Sequence, residues 1–332
     1  LFIPLYFVQH IPDDAPTKHV RILQPNIDPY AKFSSSDRQQ VEQFVEMARS
    51  KPVNDIDLVI FPETAIPFLL QEGTFFRHPN LKALYGLTTQ GPEVLSGIMS
   101  LRFFKPGDSI PVSAECRGNR CWESWNAATL FGPELKEQVY QKRKLVPFSE
   151  RVPYMETLEA LKEYEIDLGG GFGSWGLPDS LHLLYTRDGT GILPAICYES
   201  IFGEFIAKLA LNPGGEPAGF IIVITNDGWW KQSSGYLQHS AYARLRAIET
   251  RRWLARSANT GESSFIGPNG AMYQATEWWE PAVIDREIPL ASGTSFYMRN
   301  GDWLGKVAGI VALLSVIALL WKGPFGRSEG EE

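Results

Sequence analysis

The chain of 332 residues is 44% hydrophobic with a formal net charge of −7. That is apolar material for one large α/β domain or two, with no compositional sign of disorder. There is no basic excess to neutralise phosphates, which argues against a nucleic-acid partner. The five histidines are scattered without metal-ligand spacing, so neither a metal nor a cofactor is expected.

The opening "LFIPLYFV" is apolar but too short to span a bilayer, and residues 1–16 read as the end of a membrane segment with a linker. Alternating strands and helices then occupy residues 17–300. "HVRILQ" (19–24) is a strand. "SSSDRQQVEQFVEMARS" is a helix with Ser36 and Gln39 placed as a capping box and Val41, Phe44, Val45 and Ala48 on one face. "DLVIF" (57–61), "EVLSGIMS", "SWNAATLFG", "GILPAIC" and "GFIIVIT" are strands whose unbroken apolar runs predict cover on both faces. The expected architecture is α/β, with a sheet core and outer helices.

Between Met155 and Asp179 this rhythm breaks. "GGGFGSWG" is glycine-rich, and Phe172 and Trp175 would offer apolar surface, so the stretch reads as a lid, with a plain connector as the alternative. A helix from about Leu237 to Thr250 puts Leu237, Ala241, Leu245 and Ile248 on one stripe. "RWLARSA" and "SSFIGPNG" look antiparallel, with a turn at Pro268-Asn269-Gly270. The run "WLGKVAGIVALLSVIALLW" lies within residues 301–322, a predicted transmembrane helix followed by a polar tail, 323–332. Nineteen helical residues reach about 28 Å, close to the hydrocarbon thickness of a bilayer. Lys306 sits where its stem can snorkel, and a buried core helix is the alternative.

Cys116 and Cys121 form a C-x4-C pair in "AECRGNRCW", compatible with a short disulfide loop or with two unrelated surface thiols. Cys197 ends an apolar run in "LPAICYES". Alone it reads as a buried core residue. Two other stretches also put an ionisable residue just beyond an apolar strand: "LVIFPET" with Glu63 and "YQKRKLVPF" with Lys142. In α/β sheets ligands bind at the carboxyl ends of strands. A carboxylate can take the thiol proton there, and an ammonium can favour the thiolate and then an oxyanion, while the thiolate attacks a carbonyl. Separately, Glu63 could cap a helix, and Lys142 could be a solvated charge beside Arg143 and Lys144.

"FPET", "YQKRKLVPFSERVPY", "ICYES", "ITNDGWW" and "QHSAYARLRAIETRRWLARSANTG" occur in an order that resembles the nitrilase (carbon–nitrogen hydrolase) superfamily. Within it they resemble the apolipoprotein N-acyltransferase family of bacterial envelope membrane enzymes. The resemblance implies an αββα sandwich and a Glu-Lys-Cys triad. Glu63 matches the general base, Lys142 the catalytic lysine, and Cys197 the nucleophile; Lys144 does not match. Glu150 and Glu199 match two further acids of the site, Asn126 a polar residue beside it, and the Tyr198 amide a second oxyanion donor. Trp229, with Trp230, fits an apolar site or ordinary packing.

The implied reaction is acyl transfer from a phospholipid, through a Cys197 thioester, to the N-terminal amine of a diacylglyceryl-cysteine apolipoprotein. The implied place is the bacterial inner membrane, with the catalytic domain on the periplasmic side. A membrane-tethered amidase using the same triad is the alternative. The sequence departs from the family at Ser149, where glycine is usual, and at Phe33, where some members carry tryptophan. The family's N-terminal membrane bundle is represented at most by the opening stump.

Overall fold

The computed structural model describes residues 11–28, 36–154 and 175–321. The opening stump, Phe33, the polar tail, and the lid stretch 155–174 with Phe172 lie outside the described residues. In chain order the strands are β1 (Thr17–Gln24), β2 (Leu58–Ile60), β3 (Leu69–Gln71), β4 (Glu93–Phe103), β5 (Glu115–Arg117), β6 (Arg120–Phe131), β7 (Val139–Gln141), β8 (Leu184–Tyr185), β9 (Gly191–Ile196), β10 (Phe220–Thr225), β11 (Leu254–Ala258), β12 (Ser264–Ile266), β13 (Met272–Tyr273) and β14 (Ala282–Pro289). The helices are α1 (Asp37–Ala48), α2 (Lys82–Thr88), α3 (Gly203–Leu211), α4 (Ser234–Thr250), α5 (Phe296–Asn300) and α6 (Trp303–Trp321).

One sheet runs β14-β1-β2-β4-β6-β5, with β3 beside β4 and β7 beside β6. The other runs β13-β12-β11-β10-β9-β8. The pairs β1/β2, β2/β4, β9/β10 and β10/β11 are parallel, and the outermost strands of both sheets close antiparallel. Successive side chains of a strand point to opposite faces. Leu58 and Ile60 of β2 therefore enter the core between the sheets, while Val59 and Phe61 enter the core beneath α1 and α2. With α3 and α4 covering the second sheet through Ile206, Ala207, Ala243 and Ala247, the order of layers is α-β-β-α. Two-sided burial explains why these strands read as continuous apolar runs.

Local signals place several elements. The Ser36 side chain caps α1 by accepting from the Gln39 amide at 3.3 Å, and Val41, Phe44, Val45 and Ala48 are all buried. Cys116 and Cys121 are direct partners across the β5/β6 hairpin and are joined by a disulfide; the turn runs through Gly118 (φ 60°). The turn around Pro268-Asn269-Gly270 joins β12 to β13, while β11 and β12 are the antiparallel pair.

The α4 stripe differs from the expectation. Leu237 and Leu245 are 50% and 46% exposed, and Ala241 is also exposed. The helix buries His239, Ala243, Arg246, Ala247 and Thr250 instead. Its inner face is polar because it carries hydrogen bonds toward the strand ends, so the apolar residues mark the wrong side.

No residue of α6 is buried, which removes the core-helix alternative, and among the described residues α6 is the one helix long and apolar enough to cross a bilayer. Its foot is tied to the domain. Glu204, in the first turn of α3, accepts from the Asp302 amide at 2.7 Å and from the Lys306 ammonium at 2.8 Å. Lys306 is thus a tether to α3 as well as a cation near the helix end.

Candidate active site

Each of the three ionisable residues follows a strand, and the two sheets bring them together. Pro62 stops β2, and Glu63 turns into the gap between the sheets, 6% exposed. The backbone there lies directly on β4. A Cβ built on Gly97 would sit 2.5 Å from the Thr64 nitrogen, 2.6 Å from the Pro62 oxygen and 2.7 Å from the Glu63 Cα, so only glycine allows this approach. Lys142 follows β7, extending the pairing with β6 through its amide to the Asn126 carbonyl at 2.8 Å, and its side chain is 1% exposed.

The Lys142 ammonium donates to Glu150 at 2.7 Å and to Glu63 at 3.2 Å. The Asn126 amide donates to the same two carboxylates, at 2.7 Å to Glu63 and 3.1 Å to Glu150. The second Glu63 oxygen accepts from the Asn226 amide at 3.1 Å. Glu150 closes its own loop by accepting from the Val146 amide at 2.8 Å. In that loop Phe148, not Ser149, takes the left-handed backbone (φ 63°), so serine in place of glycine at 149 brings no left-handed strain.

Cys197 begins a 3-10 turn, Cys197–Ile201, directly after β9. Its own backbone is left-handed at φ 50°. Such a conformation costs a non-glycine residue roughly 1–3 kcal/mol and is held only by its surroundings. Those surroundings are explicit. The Cys197 carbonyl accepts from the Ser200 hydroxyl at 2.8 Å and lies 3.0 Å from His239 Nε2. His239 Nδ1 meets Asp227 at 2.9 Å, and Arg256 donates to the other Asp227 oxygen at 2.8 Å. Thr225, the last residue of β10, also works against the rise of the Cys197 thiol pKa. Tyr198 is second in the turn, so its amide belongs to the first-turn donors that have no acceptor within the helix.

Electrostatics set the resting state. Burial, and then the Glu63 charge, push the Cys197 thiol well above its usual range; Lys142 offsets this only in part. The ammonium thus acts in the expected direction, toward the thiolate, but burial and the Glu63 charge outweigh it. Burial works against the Lys142 ammonium, but Glu150, Glu63 and Cys197 overcome it, and its proton is held more tightly than usual. Burial likewise opposes the Asp227 charge, yet Arg256 and His239 keep that carboxyl below its ordinary range.

Glu63, Lys142, Glu150 and Asn126 form one hydrogen-bonded cluster beside Cys197. Glu199, within the turn itself, is fully buried and is not hydrogen-bonded to that cluster. It accepts from the amides of Ile196, Arg143 and Lys144 at 2.9, 2.7 and 3.2 Å and from the Tyr140 hydroxyl at 3.0 Å. Its contacts make it a brace between the lysine segment and the nucleophile turn. Trp229 is half-buried in the turn after β10, next to Trp230, which is 48% exposed. Trp175, expected on an apolar lid, is buried instead, with its amide donating to the Glu150 carbonyl at 2.9 Å. Thr225, Asp227, His239 and Arg256 were not singled out from sequence. The signals were the polar "TND" after an all-apolar strand and a histidine on the inner face of α4.

A family model described as carbon-nitrogen hydrolase matches residues 19–297. The chain is 32% identical to the apolipoprotein N-acyltransferase of Chlorobaculum tepidum over 328 residues, covering 93% of this chain and 58% of that protein. It is 33% identical to that of Rhodopseudomonas palustris over 315 residues, covering 92% and 54%. The chain thus spans little more than half the length of these curated relatives. Among solved structures, Saccharomyces cerevisiae Nit3, a member of branch 10 of the nitrilase superfamily, aligns with a TM-score of 0.55 at 16% identity, covering 82% of this chain and 90% of its own. An amidase from Nesterenkonia sp. AN1, carrying acrylamide on its active-site cysteine, aligns with a TM-score of 0.54 at 14% identity, covering 88% and 99%.

Proposed function

The chain belongs to the carbon–nitrogen hydrolase family, and from that premise we propose that it transfers an acyl chain from a phospholipid to the N-terminal amine of a diacylglyceryl-cysteine apolipoprotein. Its curated relatives carry that acyltransferase name. The observation that carries the reading is the meeting of Glu63, Lys142 and a backbone-strained Cys197 between the sheets, in a domain whose nucleophile turn leads into the helix that tethers α6.

The chemistry follows from the contacts. Glu63 takes the Cys197 proton, and the thiolate attacks the ester carbonyl of the phospholipid. Negative charge grows on that oxygen, where the Lys142 ammonium and the Tyr198 amide stabilise it. Collapse breaks the ester C–O bond. The alkoxide takes the proton from Glu63 and leaves as lysophospholipid, with the acyl group on sulfur as a thioester. The acceptor's α-amino group then attacks the thioester while Glu63 takes its proton. The C–S bond breaks, the amide is released, and the proton returns to the Cys197 sulfur. Glu150 and Asn126 keep Lys142 and Glu63 in register through both halves.

In this reading residues 17–300 are the catalytic domain and α6 crosses the inner membrane, with the domain on the periplasmic side. The Cys116–Cys121 disulfide suits that oxidising compartment. The likeness to an amidase that uses an active-site cysteine supports a second reading, hydrolysis of a small amide by the same centre. One assay separates them. The protein is incubated with labelled phospholipid, with and without a diacylated peptide. Acyl-enzyme that discharges onto the peptide amine is expected; turnover of a small amide with no acyl transfer would establish the hydrolase instead.

A further inference from the structure

A groove of about 330 Å³ opens beside the Cys197 turn. Arg143, Lys144 and Arg151 are among its lining residues, with Leu177, Tyr198 and Phe202. It is mostly apolar, but of the three cations that line it two, Arg143 and Lys144, stand without an acid among the described residues. Lys144 Nζ lies 5.2 Å over the Phe202 ring and 5.4 Å over Phe205, and the Arg143 guanidinium donates to the Pro178 carbonyl at 2.5 Å. Among the described residues neither side chain forms an ion pair. Glu199, the carboxylate within the turn, is saturated by main-chain amides and the Tyr140 hydroxyl. Those amides include the ones of Arg143 and Lys144, so both cations are held to a segment two residues from Cys197.

The groove also has a fixed place. Phe202 immediately precedes α3, and Glu204 of α3 holds the foot of α6. A helix suited to a bilayer therefore starts within about one turn of the groove floor. Unpaired cations above an aromatic floor at such a boundary match an amphiphile with an anionic phosphate. A small amide would leave the two charges unused.

We infer that this groove seats the phosphate of the acyl-donor phospholipid on Arg143 and Lys144, with the ester carbonyl reaching Cys197 past Tyr198. This rests on the acyl-transfer reading above. The test compares acyl-enzyme formation from phosphatidylglycerol vesicles with that from a small uncharged p-nitrophenyl ester, taken as a ratio of rates. Arg143→Gln and Lys144→Gln should each lower that ratio about tenfold and the double variant about a hundredfold, as expected for charge-assisted contacts. Arg143→Lys and Lys144→Arg should keep most of it.

A ratio unchanged in the glutamine variants, with the wild type active on vesicles, overturns the groove assignment alone. A wild type acylated by the small ester but never by vesicles overturns the transfer reading and the groove together. Inorganic phosphate competing at millimolar concentration as well as a glycerophospholipid would make the groove an ion site and overturn the headgroup assignment.

Discussion

Two clusters of buried charge meet at the Cys197 turn, and they differ in how far their interactions are closed. In the Asp227–His239–Arg256 cluster each Asp227 oxygen has a cationic or imidazole partner, and the side chains of Asp227 and Arg256 are fully buried. In the Glu63–Lys142–Glu150 cluster the ammonium lies between two carboxylates, and burial and the Glu63 charge raise the proton affinity of the neighbouring thiol. The first cluster holds a backbone in place. The second holds a proton that has somewhere to go. Buried charge alone therefore does not mark a reactive centre; a nucleophile set beside a carboxylate that can accept its proton does.

The largest test of this contrast acts on the open cluster. Cys197→Ala should abolish acyl-enzyme formation with the melting temperature little changed. Lys142→Ala should lower transfer by about 10²–10³-fold, the usual effect of removing one oxyanion donor. Labelled acyl-enzyme on the Cys197→Ala protein would remove Cys197 from the nucleophile role. In the closed cluster, Arg256→Met should show the opposite signature. It strands Asp227 in a buried site and should cost roughly 3–5 kcal/mol in chemical denaturation. A variant of normal stability but no activity would mean that the two clusters share one role.

Gly97→Ala should have a smaller effect. The new methyl group forces the Glu63 segment off β4, so activity should fall on the order of 10–100-fold, by misplacement of the base rather than its loss. Full activity would show that the Glu63 backbone can move without consequence.

The smallest effect is a pH profile. A raised thiol pKa means that the protonated form persists at neutral pH and that reactivity grows as pH rises. Iodoacetamide labelling of Cys197, the free thiol of the structure, should climb without a plateau between about pH 6 and pH 9. A plateau below neutrality would indicate a resting thiolate.

Much of this candidate centre is legible in sequence because Glu63 and Cys197 end apolar runs and Lys142 follows the short strand β7, and strand ends are where α/β sheets present side chains. The α1 cap and core face were legible for the same reason: they are local. What the sequence hid is non-local or inverted. His239, Asp227 and Arg256 are 12 and 17 residues apart along the chain, and no periodicity links them. The α4 stripe misleads because the buried face of that helix carries polar work, leaving Leu237 and Leu245 outward. Trp175 lies in a glycine-rich stretch that looks exposed, but its amide is bound to the Glu150 carbonyl. The direction of the thiol shift depends on how burial and two opposite charges add up at one sulfur, which residue spacing cannot express.

The tie between Glu204 and the foot of α6 has a consequence for scale. With α6 in a bilayer, as proposed, a helix anchored by one carboxylate at its first turn would behave as a depth gauge, fixing how far Cys197 stands from the bilayer plane. Under the proposed acyl transfer, donor lipids diffusing in that plane would meet the thiol at one height, and the search would be two-dimensional. An apolar helix of about 28 Å matches an average bilayer and must tilt in a thinner one. Tilt would swing the domain with it, so the proposed turnover would depend on the thickness of the surrounding membrane even with the donor lipid unchanged.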